Sequence, residues 1–563
     1  MTGVDDERPA EGEADARRWV TLAIVILAAL ISSLDSTVLN VAIPSILRDF
    51  HSDLPSVQWV VSGYSLTFAT LLIIGGRLGD VYGHRRVFIV GVILFGAGSL
   101  LASLAPSIAV LLLGEAFIEG VGAALMMPAT TAILSTTFHG RERATAFGWW
   151  GATIGSAAAF GPIVGGYLTT EYSWRWALRI NVFVAPAAAI GALVFMQRDI
   201  RRRERAKLDV PGALLVGTGM LLLVFGLSEG PTYGWLVPRR DFTVDGLRCW
   251  PATNAVSVIP IAFVVALALL WCFVRLERHK ERSGGSPLFE LGQLEHRGYR
   301  YGLLTSTVVA LAQLGLIFVL PIVLQDGKHL SALDTGLWLV PFGVFIIVGA
   351  QLGGRLTRLL ATTSVVRIGL VLEAMGLCAV AAAVSPHITV IAVIPGFGLF
   401  GVGYGFASAQ LVNIILSDVP RDKAGVAGAA NATVRQVGAA LGVAVVGALL
   451  NTLAIRRAIG LVARSGLAAP VRAEAVEGLH RRGVNYLPPV AVSPRDASRL
   501  SHILSAAITS GARPALLFAA SAALGGALVS LLIPQVATGR RRPAIDVVPP
   551  QPAAGTGAVV SGR

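Results

Sequence analysis

Residues 71–91 read LLIIGGRLGDVYGHRRVFIVG, a compact charged turn set between two apolar runs that are each long enough to cross a bilayer. Gly75, Gly76, Gly79 and Gly83 allow a tight backbone and close helix approach. Asp80 can cap a helix start, and Arg77, Arg85 and Arg86 can pair with it or with lipid phosphates. Charge confined to a short turn between long apolar runs is the pattern of a chain that crosses a membrane repeatedly.

Composition agrees. Of 563 residues, 54% are hydrophobic and only 14% charged, whereas an ordinary soluble globule carries about 25% charged residues. The 63 glycines fit a helical membrane protein, because small residues let helices approach one another closely. A net charge of +13 would suggest nucleic acid in a soluble protein. Here the basic residues sit mostly in short loops, where they set topology, so a nucleic-acid partner is rejected. Cys249, Cys272 and Cys378 are far apart, two of them inside apolar runs, and no disulfide framework or metal cluster is visible. The first apolar run, from Trp19, is too long for a signal-peptide core and is retained as a span.

Runs of about 20 apolar residues fall near 19–40, 56–76, 87–105, 108–135, 144–168 and 176–196, then near 210–227 and 255–274 after the basic linker 197–208. Six more fall near 301–324, 334–353, 366–384, 388–417, 424–454 and 512–534. The expectation is an all-α polytopic membrane protein of 14 spans, arranged as six, two and six. With the N-terminus inside, the inside segments hold 29 Lys and Arg, against seven in the outside loops before residue 456: Arg48, Arg175, Arg179, Arg239, Arg240, Arg248 and Lys328. The 456–511 stretch, with eight arginines, disagrees. Long loops are translocated largely regardless of charge, so both termini are expected to be cytoplasmic. Helical patterns at 471–482 and 495–508 leave that stretch open between a gating hairpin and a surface appendage.

An internal repeat supports two related blocks. Gly75-Gly76-Arg77-Leu78 recurs as Gly353-Gly354-Arg355-Leu356, Pro44 matches Pro321, and Arg141-Glu142-Arg143-Ala144 is echoed by Arg421-Asp422-Lys423-Ala424, all at offsets of 277 to 280. The second copy lacks the acid and the Gly-His-Arg-Arg. The expected organisation is a cytoplasmic tail over 1–18, a six-helix bundle over 19–196, a linker with two extra transmembrane helices over 197–299, a second six-helix bundle over 300–535 that includes the extracytoplasmic loop 456–511, and a disordered cytoplasmic tail over 536–563.

The turn Gly76-Arg77-Leu78-Gly79-Asp80-Val81-Tyr82-Gly83-His84-Arg85-Arg86 resembles the cytoplasmic loop signature of the major facilitator superfamily, G-x-L-x-D-x-x-G-R/K-R/K. The resemblance implies the facilitator fold, two six-helix bundles with a substrate site between them near the bilayer midplane, and a gating role for this loop.

An ionisable side chain costs at least a few kcal/mol at the membrane centre, so charges inside spans are the candidates for function. They are Asp35, Glu115, Glu119, Arg179, Glu373 and Arg435. No histidine sits mid-span, which leaves carboxylates as proton carriers. Asp35 stands in LDSTVLNVAIPSI, residues 34–46, which resembles the first-span signature of the fourteen-span drug:proton antiporters in Leu34, Asp35, Thr37, Asn40, Ala42 and Pro44. That resemblance implies proton coupling at Asp35; the other reading is an acid that reaches water near the outer end.

In the fourth span the family pattern R-x-x-Q-G-x-G-A-A is met by Gly120, Gly122, Ala123 and Ala124, but Ala116 replaces the arginine and Glu119 the glutamine. Glu115 and Glu119, four residues apart, share one helix face. Two carboxylates this close in a low dielectric do not both ionise easily, so at least one should hold a proton. The alternative is a structural ion pair with Arg179. By depth, Asp35, Glu115, Glu119 and Arg179 are expected to form one charged cluster, with Arg179 as the charge partner within salt-bridge distance of Glu115.

Gly161, Pro162, Gly165 and Gly166 of the fifth span resemble the antiporter signature G-x-x-x-G-P-x-x-G-G, with Ala157 in place of its first glycine, read as a packing and hinge element. Asn40, Asn413, Arg435 and Gln436 are cavity candidates, and Glu373 is read as facing a lipid headgroup or a neighbouring helix. No nucleotide-binding loop of the G-x-x-x-x-G-K-S/T type appears. The whole implies no enzyme but a secondary active exporter in the cell membrane, a monomer with no cofactor or metal. It would exchange inward-moving protons for outward-moving amphipathic or cationic compounds, with membrane lipids as its surroundings. Two rivals are an exporter of one endogenous lipid or metabolite and a non-transporting scaffold or sensor.

Overall fold

The computed structural model describes residues 11–52, 54–138, 140–197, 209–244, 247–285, 287–289, 291–417, 419, 424–482 and 493–535. The basic linker 198–208, the repeat residues 421–423 and the tail 536–563 lie outside them.

Backbone in lipid must satisfy its own N–H and C=O groups, so apolar runs of this length become helices. In order these are α1 (Glu11–Asp49), α2 (Leu54–Tyr82), α3 (His84–Ser103), α4 (Ile108–Leu111), a π-helical stretch Leu112–Glu119 leading into α5 (Gly120–Thr137), α6 (Gly140–Glu171) and α7 (Trp174–Phe195). Next come α8 (Val210–Tyr233), the hairpin strands β1 (Phe242–Val244) and β2 (Leu247–Trp250), and α9 (Val258–Arg282). The last group is α10 (Arg297–Ile322), prolonged by a π-helical turn Val323–Gly327, then α11 (Ala332–Leu356), α12 (Thr362–Ala383), α13 (Val390–Ser417), α14 (Ala424–Ala463), α15 (Ala469–Arg482) and α16 (Pro494–Ser530). Among the described residues twelve stretches are long and apolar enough to cross a membrane. Between them lie α2 and α6, of 29 and 32 residues.

Local chemistry sets the helix ends. Ser173, Asp209, Ser257, Ser331 and Ser493 each accept a hydrogen bond from a backbone N–H in the first turn that follows. Gly83, between α2 and α3, has φ 97°, a conformation that disfavours other residues, so the sharp reversal in the signature turn depends on glycine.

The two blocks repeat one packing scheme. In the first, α1 packs on α6 and α7, α2 on α5, and α3 on α5 and α7; in the second, α10 packs on α14 and α16, α11 on α13, and α12 on α13 and α16. The blocks meet through α6 against α11 and α2 against α14, the same contact taken twice with the partners exchanged. Gly75 and Gly353, matched in sequence, lie against the backbones of α5 and α13 in turn: a β-carbon on Gly75 would come 2.9 Å from the Ala124 carbonyl carbon, and one on Gly353 3.2 Å from Phe406 Cα.

The helices α8 and α9 pack on each other, and α8 reaches both blocks, touching α2 and α14. In the stretch 456–511, expected outside with helical patterns at 471–482 and 495–508, the described residues are largely helix. Beyond the apolar spans, α14 and α16 continue and close with α15 on a separate small core of Ala458, Val462, Leu467, Ala475, Leu479 and Leu500.

Candidate functional site

Three acids converge inside the first block. Asp35 comes from α1, and Glu115 and Glu119 from the π-helical stretch before α5. Asp35 is 2% exposed and both glutamates 0%. One oxygen from each lies within 4.8 Å of the others. The wider π-helical turn falls on the segment that carries both glutamates, a feature common at functional sites. Nothing in the composition of LLGEAFIE announces it.

The group that joins these acids is Asn181 of α7, itself 2% exposed. Its Nδ2 donates to Asp35 Oδ1 at 2.8 Å and to Glu119 Oε1 at 3.2 Å. Asp35 Oδ2, Glu119 Oε2 and both Glu115 oxygens are buried without a hydrogen-bond donor. Asn181 is not among the site residues expected from the sequence, where the available signal was a polar residue within the apolar run 176–196.

The expected pairing of Arg179 with Glu115 is corrected. Arg179 Cζ sits 5.1 Å from the ring centroid of Trp176, and among the described residues no ion pair joins Arg179 to a carboxylate. Residues two apart on an α-helix point about 200° apart. With Asn181 turned inward, Arg179 faces away. A neutral amide, not a cation, bridges the acids. Among the described residues these three also form a group close enough to share a metal ion. Their oxygens would suit a hard cation, but the Asn181 amide hydrogens point into the same space.

Around the signature turn, Gly79 lies against the ring of His84, and a β-carbon on Gly76 would meet Pro128 Cβ at 3.7 Å. Arg85, expected to pair with Asp80 or lipid, donates to the carbonyls of Ala192 (3.0 Å) and Leu193 (2.6 Å) at the end of α7. Cations suit a helix C-terminus, so this arginine ties α3 to α7. Arg77 is partly buried and Arg86 exposed, while the Asp80 side chain lies outside those described.

The glycines of α6 sit where three helices meet. Gly161 faces Thr37 and Gly165 faces Val38, both on α1; a β-carbon on Gly165 would come 2.9 Å from Val38 Cα. Gly166 faces Ala332 and Leu333 of α11, and Gly336 of α11 abuts Pro162. A cavity of about 10 Å³, room for roughly one water, lies between the blocks against Thr37, Asn40, Pro162, Pro321 and Phe342. Hydrogen bonds join the blocks nearby, from Gln325 Nε2 to the Val41 carbonyl (2.8 Å) and from the Leu333 amide to Thr170 Oγ1 (2.8 Å).

Of the other cavity candidates, Asn40 is fully buried. Asn413 Nδ2 donates to Gln410 Oε1 at 3.0 Å, and Arg435 Nη2 donates to the Tyr404 hydroxyl at 2.9 Å. Gln436 is half-buried. These three residues do not join the acid cluster. Glu373, expected at a lipid headgroup or a neighbouring helix, is 0% exposed inside the second block.

The model of the Major Facilitator Superfamily matches residues 25–443. The chain belongs to the major facilitator superfamily. It is similar to a probable actinorhodin transporter of Streptomyces coelicolor, 34% identical over 441 residues that cover 77% of this chain and 72% of that protein. It is also similar to a tetracenomycin C resistance and export protein of Streptomyces glaucescens, 30% identical over 96% of both chains. Among solved structures it is similar in fold to a bacterial homolog of the human lysosomal transporter Spinster, with a TM-score of 0.59 at 15% identity, covering 93% of this chain and 98% of that one. This facilitator is therefore an integral membrane protein among relatives named for antibiotic transport, antibiotic resistance and multidrug resistance, and it carries a transporter's fold.

Proposed function

We propose that this chain is a multidrug exporter that works by proton antiport, passing amphipathic or cationic compounds outward by alternating access. The observation that carries the reading is the buried group Asp35, Glu115 and Glu119 around Asn181. An unpaired carboxylate shut away from water costs several kcal/mol. With one amide shared between two acids and no donor for Glu115, the group is neutral only if protons fill it, and a cationic or bulky substrate would favour their release. A proton entering down 100 mV contributes about 2.3 kcal/mol, so the gradient supplies the energy and no cofactor is needed.

The same proposal includes the fourteen-span drug:proton antiporter family, with α2 and α6 crossing beside the twelve stretches already described. It includes the division at 19–196, 197–299 and 300–535, cytoplasmic termini, the cell membrane as location and a monomer as the working unit. The loop of Gly76, Arg77, Gly79, Asp80, Gly83, Arg85 and Arg86 is the cytoplasmic gate. Gly161, Pro162, Gly165 and Gly166 form the seam on which the blocks rock, and Asn40, Asn413, Arg435 and Gln436 line the route.

The test is uptake of a panel of amphipathic cations and neutral antibiotics into inverted vesicles, with and without a pH gradient. Gradient-driven uptake of several compounds is expected, and Asp35→Asn should lower it at least tenfold at matched protein level. Uptake indifferent to the gradient would remove proton coupling, and uptake of a single lipid or metabolite would replace multidrug export with a dedicated route.

A further inference from the structure

The contact between α12 and α13 copies the contact of α3 with α5 and the π-helical stretch before it, glycine for glycine. A β-carbon on Gly122 would meet the Gly91 carbonyl oxygen at 2.7 Å and also the Phe95 amide. One on Gly403 would meet the Gly369 carbonyl and, at 2.6 Å, the Glu373 amide. One turn along, Gly98 lies 2.6 Å by the same measure from the Glu119 amide and Gly376 against the Phe400 amide, with the carbonyls of Gly114 and Gly396 each at 2.7 Å. Glu373 thus occupies the place of Phe95, and Phe400 the place of Glu119. At these two matched positions each block holds one acid and one phenylalanine, with their helices exchanged and the acids about 4.5 Å apart in level.

Glu373 is 0% exposed, and both its carboxyl oxygens are buried without a hydrogen-bond partner. No charge answers it. On α12 itself, Arg367 donates to the carbonyls of Ser530 and Ile533, and Cys378 is exposed. From α13 the titratable group is Tyr404, which accepts from Arg435. From the apolar part of α16 it is Arg513, which donates to the Val384 carbonyl. Counterpart to α1, α10 carries no acid anywhere along Arg297–Ile322. A lone carboxylate does not persist in such surroundings.

We infer that Glu373 is a second proton-carrying site, the second block's counterpart of the cluster around Asp35. The inference rests on the antiport reading. Since Glu373 is sealed from solvent in this arrangement, its proton exchanges only in another state of the cycle, so its loading and release are tied to transport. Glu373 then adds one proton per cycle to those carried by the first block.

The test uses the full chain reconstituted in liposomes with ethidium as the probe cation. The proton-to-ethidium ratio is read from the pH gradient that just halts net flux, in the wild type, Glu373→Gln, Glu373→Leu, Glu373→Asp and Asp35→Asn. Glu373→Gln and Glu373→Leu should still move ethidium down its own gradient while the ratio falls by one, and Glu373→Asp should restore it. Infrared spectra of the wild type should contain a protonated-carboxyl band that Glu373→Gln abolishes and whose hydrogen–deuterium exchange ethidium accelerates. An unchanged ratio in both neutral variants, or a band whose exchange ignores ethidium, overturns the inference and leaves antiport standing if Asp35→Asn still uncouples. Ethidium flux without proton movement in the wild type overturns antiport itself, and this inference with it.

Discussion

Asn181 decides the character of the acid cluster. It is the single described donor that reaches both Asp35 and Glu119, and the amide is too deep for water to replace it without a cavity. Leaving a buried acceptor unsatisfied costs about 1–3 kcal/mol, so Asn181→Leu should lower gradient-driven efflux about tenfold or more while the fold persists. Efflux of ethidium in cells at matched protein level measures it, and Arg179→Leu serves as the control. Arg179 stacks on Trp176 away from the cluster, so that control should transport at wild-type rates. Equal losses in both variants would return Arg179 to the site.

The helix α8 fastens to its two neighbours in different ways. Toward α2 the contacts are polar or tight: Trp59 Nε1 donates to Glu229 Oε1 at 3.1 Å, and a β-carbon on Gly217 would come 2.7 Å from Thr70 Cγ2. Toward α14 they are smooth, Val224 against Ala440 and Ala444. A helix locked on one side and greased on the other should travel with the first block and slide over the second. With Cys249, Cys272 and Cys378 replaced, a tether between cysteines at Gly217 and Thr70 should leave efflux intact, whereas one between Val224 and Ala440 should arrest it. The reverse outcome would attach the pair α8 and α9 to the second block.

At its other end the α8–α9 pair is held by Asp209, which accepts from the Gly212 amide at 2.8 Å and pairs with Lys280. Burial pushes the Asp209 carboxyl up, but hydrogen bonds with Glu277, Lys280 and Gly212 outweigh it and hold the group below the usual carboxylate range. Its stabilising contribution is therefore complete above about pH 4 and is lost as the pH falls further. Thermal unfolding in detergent should show an acid loss of stability that Asp209→Asn makes smaller. An identical acid slope in the variant would assign the loss to other carboxyls.

For the molecule as a whole, three links between the blocks lie at one end: Gln325 with Val41, Leu333 with Thr170, Gly166 with Ala332. Under the proposed topology that end is extracytoplasmic, so the arrangement is closed outside. Alternating access requires these contacts to break. Cysteines at Thr170 and Leu333, joined by a short thiol crosslinker in the cysteine-replaced background, should abolish efflux and leave ethidium binding from the cytoplasmic side intact. Cleaving the crosslinker should restore transport. Efflux that survives the crosslink would show that the blocks do not part there.

Apolar runs and the repeated Gly-Gly-Arg-Leu made the helical membrane fold and its two related blocks legible from residues alone, because a bilayer imposes its constraints on every crossing by length and hydropathy, and the family was legible through the resemblance of the turn at 76–86 to its loop signature. Asp35, Glu115 and Glu119 were legible for the same reason, since an acid in lipid is costly and stands out. What only the tertiary structure decided was how these groups meet. Asn181 replaced Arg179 at the cluster because helix rotation, not depth, determines which side chains face inward. Glu373, open in sequence between a lipid headgroup and a neighbouring helix, lies against the neighbouring helix α13 in a sealed interior, because two glycine pairs bring α12 and α13 to backbone contact. The outer helices α14, α15 and α16, two of them already marked by helical patterns at 471–482 and 495–508, found a core of their own that no single run announced. Depth can be counted along one helix, but facing depends on where its neighbours lie, and that is a property of the packed chain.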